Sequence, residues 1–172
     1  MEIHRPPHLY LDNQVYFITG TTFRHYFFME TDFKKRLILA TLFSVAARNN
    51  ICLYAWVIMS THYHLLIRVS AAESLPRFVR TFHSKVALAL NVIDHKKNRR
   101  VFYQYWDTCV RTETDFWKRV NYIHHNCIKH GVAERMESYP FSSYLHFQKT
   151  YGQELLDSYF EYYPIIDYFK TN

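Results

Sequence analysis

The stretch Cys52-Leu53-Tyr54-Ala55-Trp56-Val57-Ile58-Met59-Ser60-Thr61-His62-Tyr63-His64-Leu65-Leu66-Ile67-Arg68-Val69 decides the fold. It holds two apolar runs, Cys52 to Met59 and His64 to Val69, separated by the polar Ser60-Thr61, and reads as two strands joined by a tight turn. Alternation along the second strand sends His62 and His64 to one face, about 6 to 7 Å apart, and Tyr63 to the other. Two imidazoles so placed can converge on one metal ion. A pair of half-exposed histidines at a strand start is the other reading of the same pattern.

Upstream of the hairpin, Val15-Tyr16-Phe17-Ile18-Thr19 is β-branched and aromatic and predicts a strand that ends at Gly20. Thr31 or Asp32 caps a helix to about Arg48, with Ile38, Leu42, Val45 and Ala46 on one stripe. Downstream, a second helix begins after Ser74. It carries Leu75, Phe78, Phe82, Val86, Ala89 and Ile93 on its apolar stripe and Arg77, Arg80 and Lys85 on its other faces. A charged loop from Asp94 to Arg100, containing Lys96, Lys97 and Arg99, precedes a fourth strand that includes Cys109-Val110. A third helix is marked at its start by Thr112 with Asp115 three residues on, and at its end by Lys129-His130 before Gly131.

The order strand, helix, strand, strand, helix, strand is that of a split βαβ unit. It predicts an α+β, ferredoxin-like fold, an antiparallel sheet with helices on one face and the other face free for a site. Residues 10–150 make up this domain, and the acidic, aromatic-rich residues 151–172 an accessory C-terminal tail.

On the third helix, Phe116, Val120, Ile123 and Cys127 form the apolar stripe, and Tyr122 falls about 200° round from Val120. Tyr122 is therefore expected off the core stripe. Lys118, Arg119, His125, Asn126 and Lys129 lie within about 60° of it, a set of cations and hydrogen-bonding groups suited to a phosphate. Asn126, one turn beyond Tyr122, could offer its amide oxygen to an ion held by the two histidines. A helical tyrosine beside Lys and Arg is also ordinary in a chain with fifteen tyrosines.

The composition bounds the function. Apolar residues are 49% of the 172 and aromatics 19%, with three Gly and five Pro, which excludes a disordered or linker-rich chain. No run approaches the roughly 18 apolar residues of a membrane span, and the N-terminal MEIHRPPHLYLDNQ lacks the order of a signal peptide, so a cytoplasmic protein without membrane association is expected. Cys52, Cys109 and Cys127 form no CxxC pair and are expected to be buried free thiols. Net charge is +6; residues 151–172 carry −3, which leaves +9 on the first 150 and favours a polyanionic partner. The division further suggests that the acidic tail folds back over the basic body and competes with that partner.

Three motifs carry a family likeness. Ala55 to Leu66 resembles the signature of HUH (His, hydrophobic residue, His) single-strand nucleases. Tyr122-Ile123-His124-His125-Asn126, followed by Lys129-His130-Gly131-Val132, resembles the tyrosine helix of the REP-associated tyrosine transposases and their insertion-sequence relatives, as does Tyr139-Pro140-Phe141-Ser142-Ser143-Tyr144. The likeness is collinear from about Val15 to Tyr144.

The resemblance implies a metal-dependent single-stranded DNA endonuclease and transposase. His62, His64 and Asn126 would take the ligand roles for Mg²⁺ or Mn²⁺, and Tyr122 that of a nucleophile forming a 5′-phosphotyrosine next to a DNA hairpin. It also makes Arg77, Arg80, Lys85, Lys97, Arg99, Arg100, Lys118, Arg119 and Lys129 the candidates for contacting DNA, and leaves open whether two copies pair as a homodimer. Two departures stand out: Ser60-Thr61 where the family usually has Pro-Asn, and Cys127 where it often has Pro, which bears on the geometry around Asn126. A non-catalytic, domesticated nucleic-acid-binding regulator is the alternative, disfavoured by the intact set of four residues. A zinc hydrolase lacks a carboxylate near the histidines to serve as general base.

Overall fold

The computed structural model describes residues 10–166. Its sheet comprises β1 (Gln14–Thr22), β2 (Cys52–Ile58), β3 (His62–Val69) and β4 (Phe102–Val110), in the order β2-β3-β1-β4 with every neighbouring pair antiparallel. Helices α1 (Asp32–Arg48) and α2 (Ser74–Ile93) supply the two crossovers, which completes the expected split βαβ topology.

Local chemistry sets most boundaries. Thr31 caps α1 by accepting from the Lys34 amide, and Thr112 caps α3 (Glu113–Lys129) by accepting from that of Asp115. At its far end Gly131 adopts φ 64°, while the amides of Gly131 and Val132 bond back to the carbonyls of Ile128 and Cys127 at 2.9 and 3.0 Å. This is a Schellman closure, and it needs the left-handed residue that glycine supplies.

Gly20 does not end β1. The strand continues through it to Thr22, with Gly20 opposite Tyr63, and a Cβ at Gly20 would run into the Tyr63 ring. Glycine is there because an aromatic lies flat on the backbone, not because the chain turns.

Alternation divides the sheet into two faces. Tyr16, Ile18, Tyr63 and Leu65 are fully buried on the face covered by α1 and α2, where Tyr63 meets Phe82 edge to face at 5.4 Å. The opposite face carries Phe17, Thr19, His62 and His64, and it is not left open. Helix α3 lies along its β2–β3 half, bringing Tyr122 to 6.0 Å from Phe17 and 5.2 Å from His64 between ring centres. Helices therefore flank both faces, and of the second face only the part over β1, β4 and the start of β3 remains open beside α3.

Helices α4 (Tyr144–Tyr151) and α5 (Gln153–Tyr162) extend this second layer. Asn121 donates to the carbonyls of Tyr159 and Tyr163 at 2.8 Å each, and Trp117 packs on Tyr159 at 4.1 Å. Residues 141–143 cap the outer edge of β2: Ile58 donates to the Phe141 carbonyl and Ser143 to that of Trp56, both at 2.9 Å. Of the three free thiols, Cys127 is buried, Cys109 half-buried and Cys52 exposed; Cys52 opens β2 at its solvent end, against the expectation of burial for all three. Among the described residues no helix is long and apolar enough to cross a membrane.

Candidate active site

The uncovered part of the second face forms a cleft of about 820 Å³. Its floor is Phe17, Thr19 and Thr21 of β1 with His62 and His64 of β3, and one wall is Arg119, Tyr122 and Lys129 of α3.

The two histidines are held by their neighbours. Nδ1 of His64 pairs with the Thr19 hydroxyl at 2.7 Å, and Nδ1 of His62 with the Thr61 hydroxyl at 3.1 Å. With Nδ1 engaged, each ring keeps Nε2 for another partner. Nε2 of His62 lies 3.0 Å from Oδ1 of Asn126, and the two rings stand 5.0 Å apart at a steep angle. Burial pushes His62 down to about 4, its Asn126 contact opposing and His130, His25 and Lys129 adding to the drop. Burial, followed by the proximity of His62, His130 and Lys129, holds His64 well below the ordinary histidine range. Both imidazoles are neutral near pH 7, the form that binds metal.

The residues fit a divalent ion. Nε2 of His62 and Oδ1 of Asn126, 3.0 Å apart, are donors of the kinds such an ion accepts and would serve as neighbouring ligands. The buried Nδ2 of Asn126 has no hydrogen-bond partner among the described residues, so the amide is held by its oxygen. No cluster of three His, Cys, Asp or Glu side chains with metal-site geometry occurs among the described residues. The set at hand is two imidazoles and one amide, without charge of its own.

Tyr122 is only 2% exposed. It does sit off the Val120, Ile123 and Cys127 stripe, but the sheet covers that second face of α3 as well. Its hydroxyl reaches the cleft and accepts from Lys129 Nζ at 3.3 Å, with the ammonium 5.0 Å from the ring centre. Arg119 is fixed by Asp115 at 2.9 Å and lies 4.8 Å over Phe17. Cys127 leaves α3 unbroken, so Asn126 occupies a regular helical position one turn from Tyr122. Thr61, in place of the family's asparagine, accepts from the Thr22 amide at 2.8 Å, so the altered turn still delivers His62 to the cleft.

The other cations are dispersed. Arg119 and Lys129 line the cleft, whereas Lys118 and His125 are half-buried and do not. Arg77, Arg80 and Lys85 are exposed on α2, the helix behind the sheet, and Lys97 is exposed in the loop after it. Arg99 is engaged by Asp94 at 2.7 Å, and Arg100 by the carbonyls of Phe102 and Tyr103 at 3.1 Å each.

Sequence reading missed His25, Tyr103, Trp106, Asp107 and His130, all on the cleft; the His130 ring is 4.8 Å from that of His62. Trp106 was accessible in principle, because alternation from Thr108 predicts its face. Tyr103 was not, since a register shift between Gly20 and Thr22 intervenes. No residue of 151–166 lines the cleft; α5 lies against α3 instead. Asp167 and the residues after it fall outside the described residues.

A histidine pair on a central strand of a split βαβ sheet, faced across one cleft by a helical tyrosine, defines the HUH class of fold. Within it, the chain belongs to the IS200-like transposase family, whose model matches residues 11–126. A REP-associated tyrosine transposase of Escherichia coli (strain K12) is 26% identical over 92 residues, and the match spans 52% of this chain and about half the length of that relative. The fold is shared with a REP-associated tyrosine transposase solved bound to a REP hairpin, at a TM-score of 0.70 and 18% identity over 87% of each chain.

Proposed function

We propose that the chain is a metal-dependent, single-tyrosine endonuclease that cuts and rejoins single-stranded DNA beside a hairpin. The observation that carries this reading is the convergence in one cleft of the Tyr122 hydroxyl, the Lys129 ammonium 3.3 Å from it, and His62 and His64, with the buried Asn126 directly behind His62 at 3.0 Å. The relative solved with a REP hairpin supports the choice of substrate.

His62, His64 and Asn126 would hold Mg²⁺ or Mn²⁺, which supplies positive charge to the scissile phosphate. Tyr122 attacks the phosphorus through its phenolic oxygen and gives up its proton. The bond from phosphorus to the 3′ oxygen breaks, and that oxygen leaves as a 3′-hydroxyl after taking a proton. The product is a 5′-phosphotyrosine, whose phosphodiester energy is kept for rejoining. Lys129 counters charge developing near Tyr122, and Arg119, locked by Asp115 and Phe17, presents a fixed cation to a flanking phosphate.

Incubating the protein with hairpin-bearing single strands and Mn²⁺ tests this. A protein–DNA adduct that survives denaturation and disappears in Tyr122→Phe is expected. Tight DNA binding with no adduct across a panel of hairpins would instead support a regulator that binds without cutting.

A further inference from the structure

A second groove, of about 510 Å³, opens beside the cleft and has no role in the chemistry above. One side is the aromatic run Phe23, Tyr26, Phe27 and Phe28; the other is the cationic run Lys96, Arg99 and Arg100. Phe27 is 66% exposed and Tyr26 49%, an apolar surface that water disfavours and a partner would cover. Arg24 and His25, within the turn that presents these rings, both hold left-handed backbone at φ 54° and 55°. L residues keep such a conformation at a cost, and such positions concentrate at functional sites.

The groove is built for flat rings flanked by negative charge. Arg99 is anchored by Asp94 and lies 4.4 Å over Phe28, forming a rigid wall. Arg100 stands 5.3 Å from the Phe23 ring and 5.1 Å from that of Tyr103. Tyr103 lines the cleft, Phe23 lines the groove, and their rings are 6.3 Å apart, so the two concavities are contiguous. Exposed aromatic faces alternating with cations match unpaired nucleotides, with bases stacked on the rings and phosphates on the ammonium and guanidinium groups. A paired duplex keeps its base faces stacked internally and could not use the rings.

We propose that this groove binds unpaired nucleotides of the strand whose phosphate occupies the cleft. The inference rests on the single-stranded DNA substrate proposed above, and it adds a surface that fixes how the strand runs away from Tyr122.

The test pairs equilibrium binding with photo-cross-linking, using a 16-residue oligothymidylate and a 4-residue one, each carrying 5-iododeoxyuridine. The 16-mer is expected to cross-link to the tryptic segment 25–34, and Phe27→Ala to weaken its binding by between about fivefold and a hundredfold, the range for one base–aromatic stack. Phe27→Trp should retain affinity, and the 4-mer should be indifferent to either change. Equal 16-mer affinity for wild type and Phe27→Ala, with cross-links only elsewhere, overturns the proposal. The two readings fail separately. A chain that forms the Tyr122 adduct but ignores Phe27→Ala loses only the groove, and a chain that needs Phe27 for binding but never forms the adduct loses only the chemistry.

Discussion

Thr19 of β1 and His64 of β3 are register partners in the sheet and are joined a second time through their side chains, Oγ1 to Nδ1 at 2.7 Å. The second link fixes the rotation of the imidazole. Thr19→Val keeps the β-branched shape but removes the hydroxyl, so the ring loses its orienting partner and metal affinity should fall by about 10- to 100-fold. Calorimetric titration with Mn²⁺ measures this, with Thr19→Ser as the variant expected to bind normally. Wild-type affinity in the valine variant would show that packing alone orients His64.

Lys129 donates to the Tyr122 hydroxyl at 3.3 Å. Lys129→Gln removes its charge while keeping a donor of similar reach, and should slow adduct formation on the order of a hundredfold, as loss of one preorganised electrostatic group does in other enzymes. Single-turnover measurements at saturating DNA separate this from weaker binding. A lower affinity with an unchanged single-turnover rate would reassign Lys129 to holding a flanking phosphate.

Gly20 leaves room for the Tyr63 ring, and any Cβ there overlaps it. Gly20→Ala should cost about 1 to 3 kcal/mol, the usual penalty for overpacking a filled core. Urea denaturation reads the change directly. An unaltered midpoint would mean that Tyr63 can move aside despite its hydrogen bond to His83 at 2.8 Å.

His83 is the source of an acid sensitivity. Burial among Phe82, Phe102, Tyr63 and Tyr105 pushes it down to about 3. The unfolded chain, where histidine titrates near 6.5, therefore takes up a proton before the folded one. Stability from this group is complete above about pH 6.5 and drains away as pH falls toward the folded value, by roughly 1.4 kcal/mol per pH unit. His83→Gln should flatten the fall in stability between pH 6.5 and 5 by about that slope. Parallel curves for variant and wild type would place the titration elsewhere.

What was legible from sequence was local. Thr31, Thr112 and Gly131 mark helix ends because capping is settled within four residues of chain, and the structure keeps all three. His62 and His64 of the cleft follow from strand alternation, and Asn126, the partner of His62, from helical spacing, so all three could be named in advance. Gly20 was misjudged because its constraint comes from Tyr63, more than forty residues away. The burial of Tyr122 was not legible, because a helical wheel shows one apolar stripe and cannot show that α3 has neighbours on two further sides, the sheet below and Tyr159 and Ser143 beyond. His130 and Tyr103 reach the cleft only through the final folding of α3 and the register shift in β4, and neither leaves a local signal.

The unbroken course of α3 through residues 122–127 has an evolutionary corollary. Tyr122 and Asn126 are separated by about 6 Å of helix rise and a 40° turn that no loop can adjust. A single inserted or deleted residue between them would swing one around the axis by 100° relative to the other and carry it away from the histidines of β3. Descendants of this chain can therefore vary the residues between these two positions but not their number.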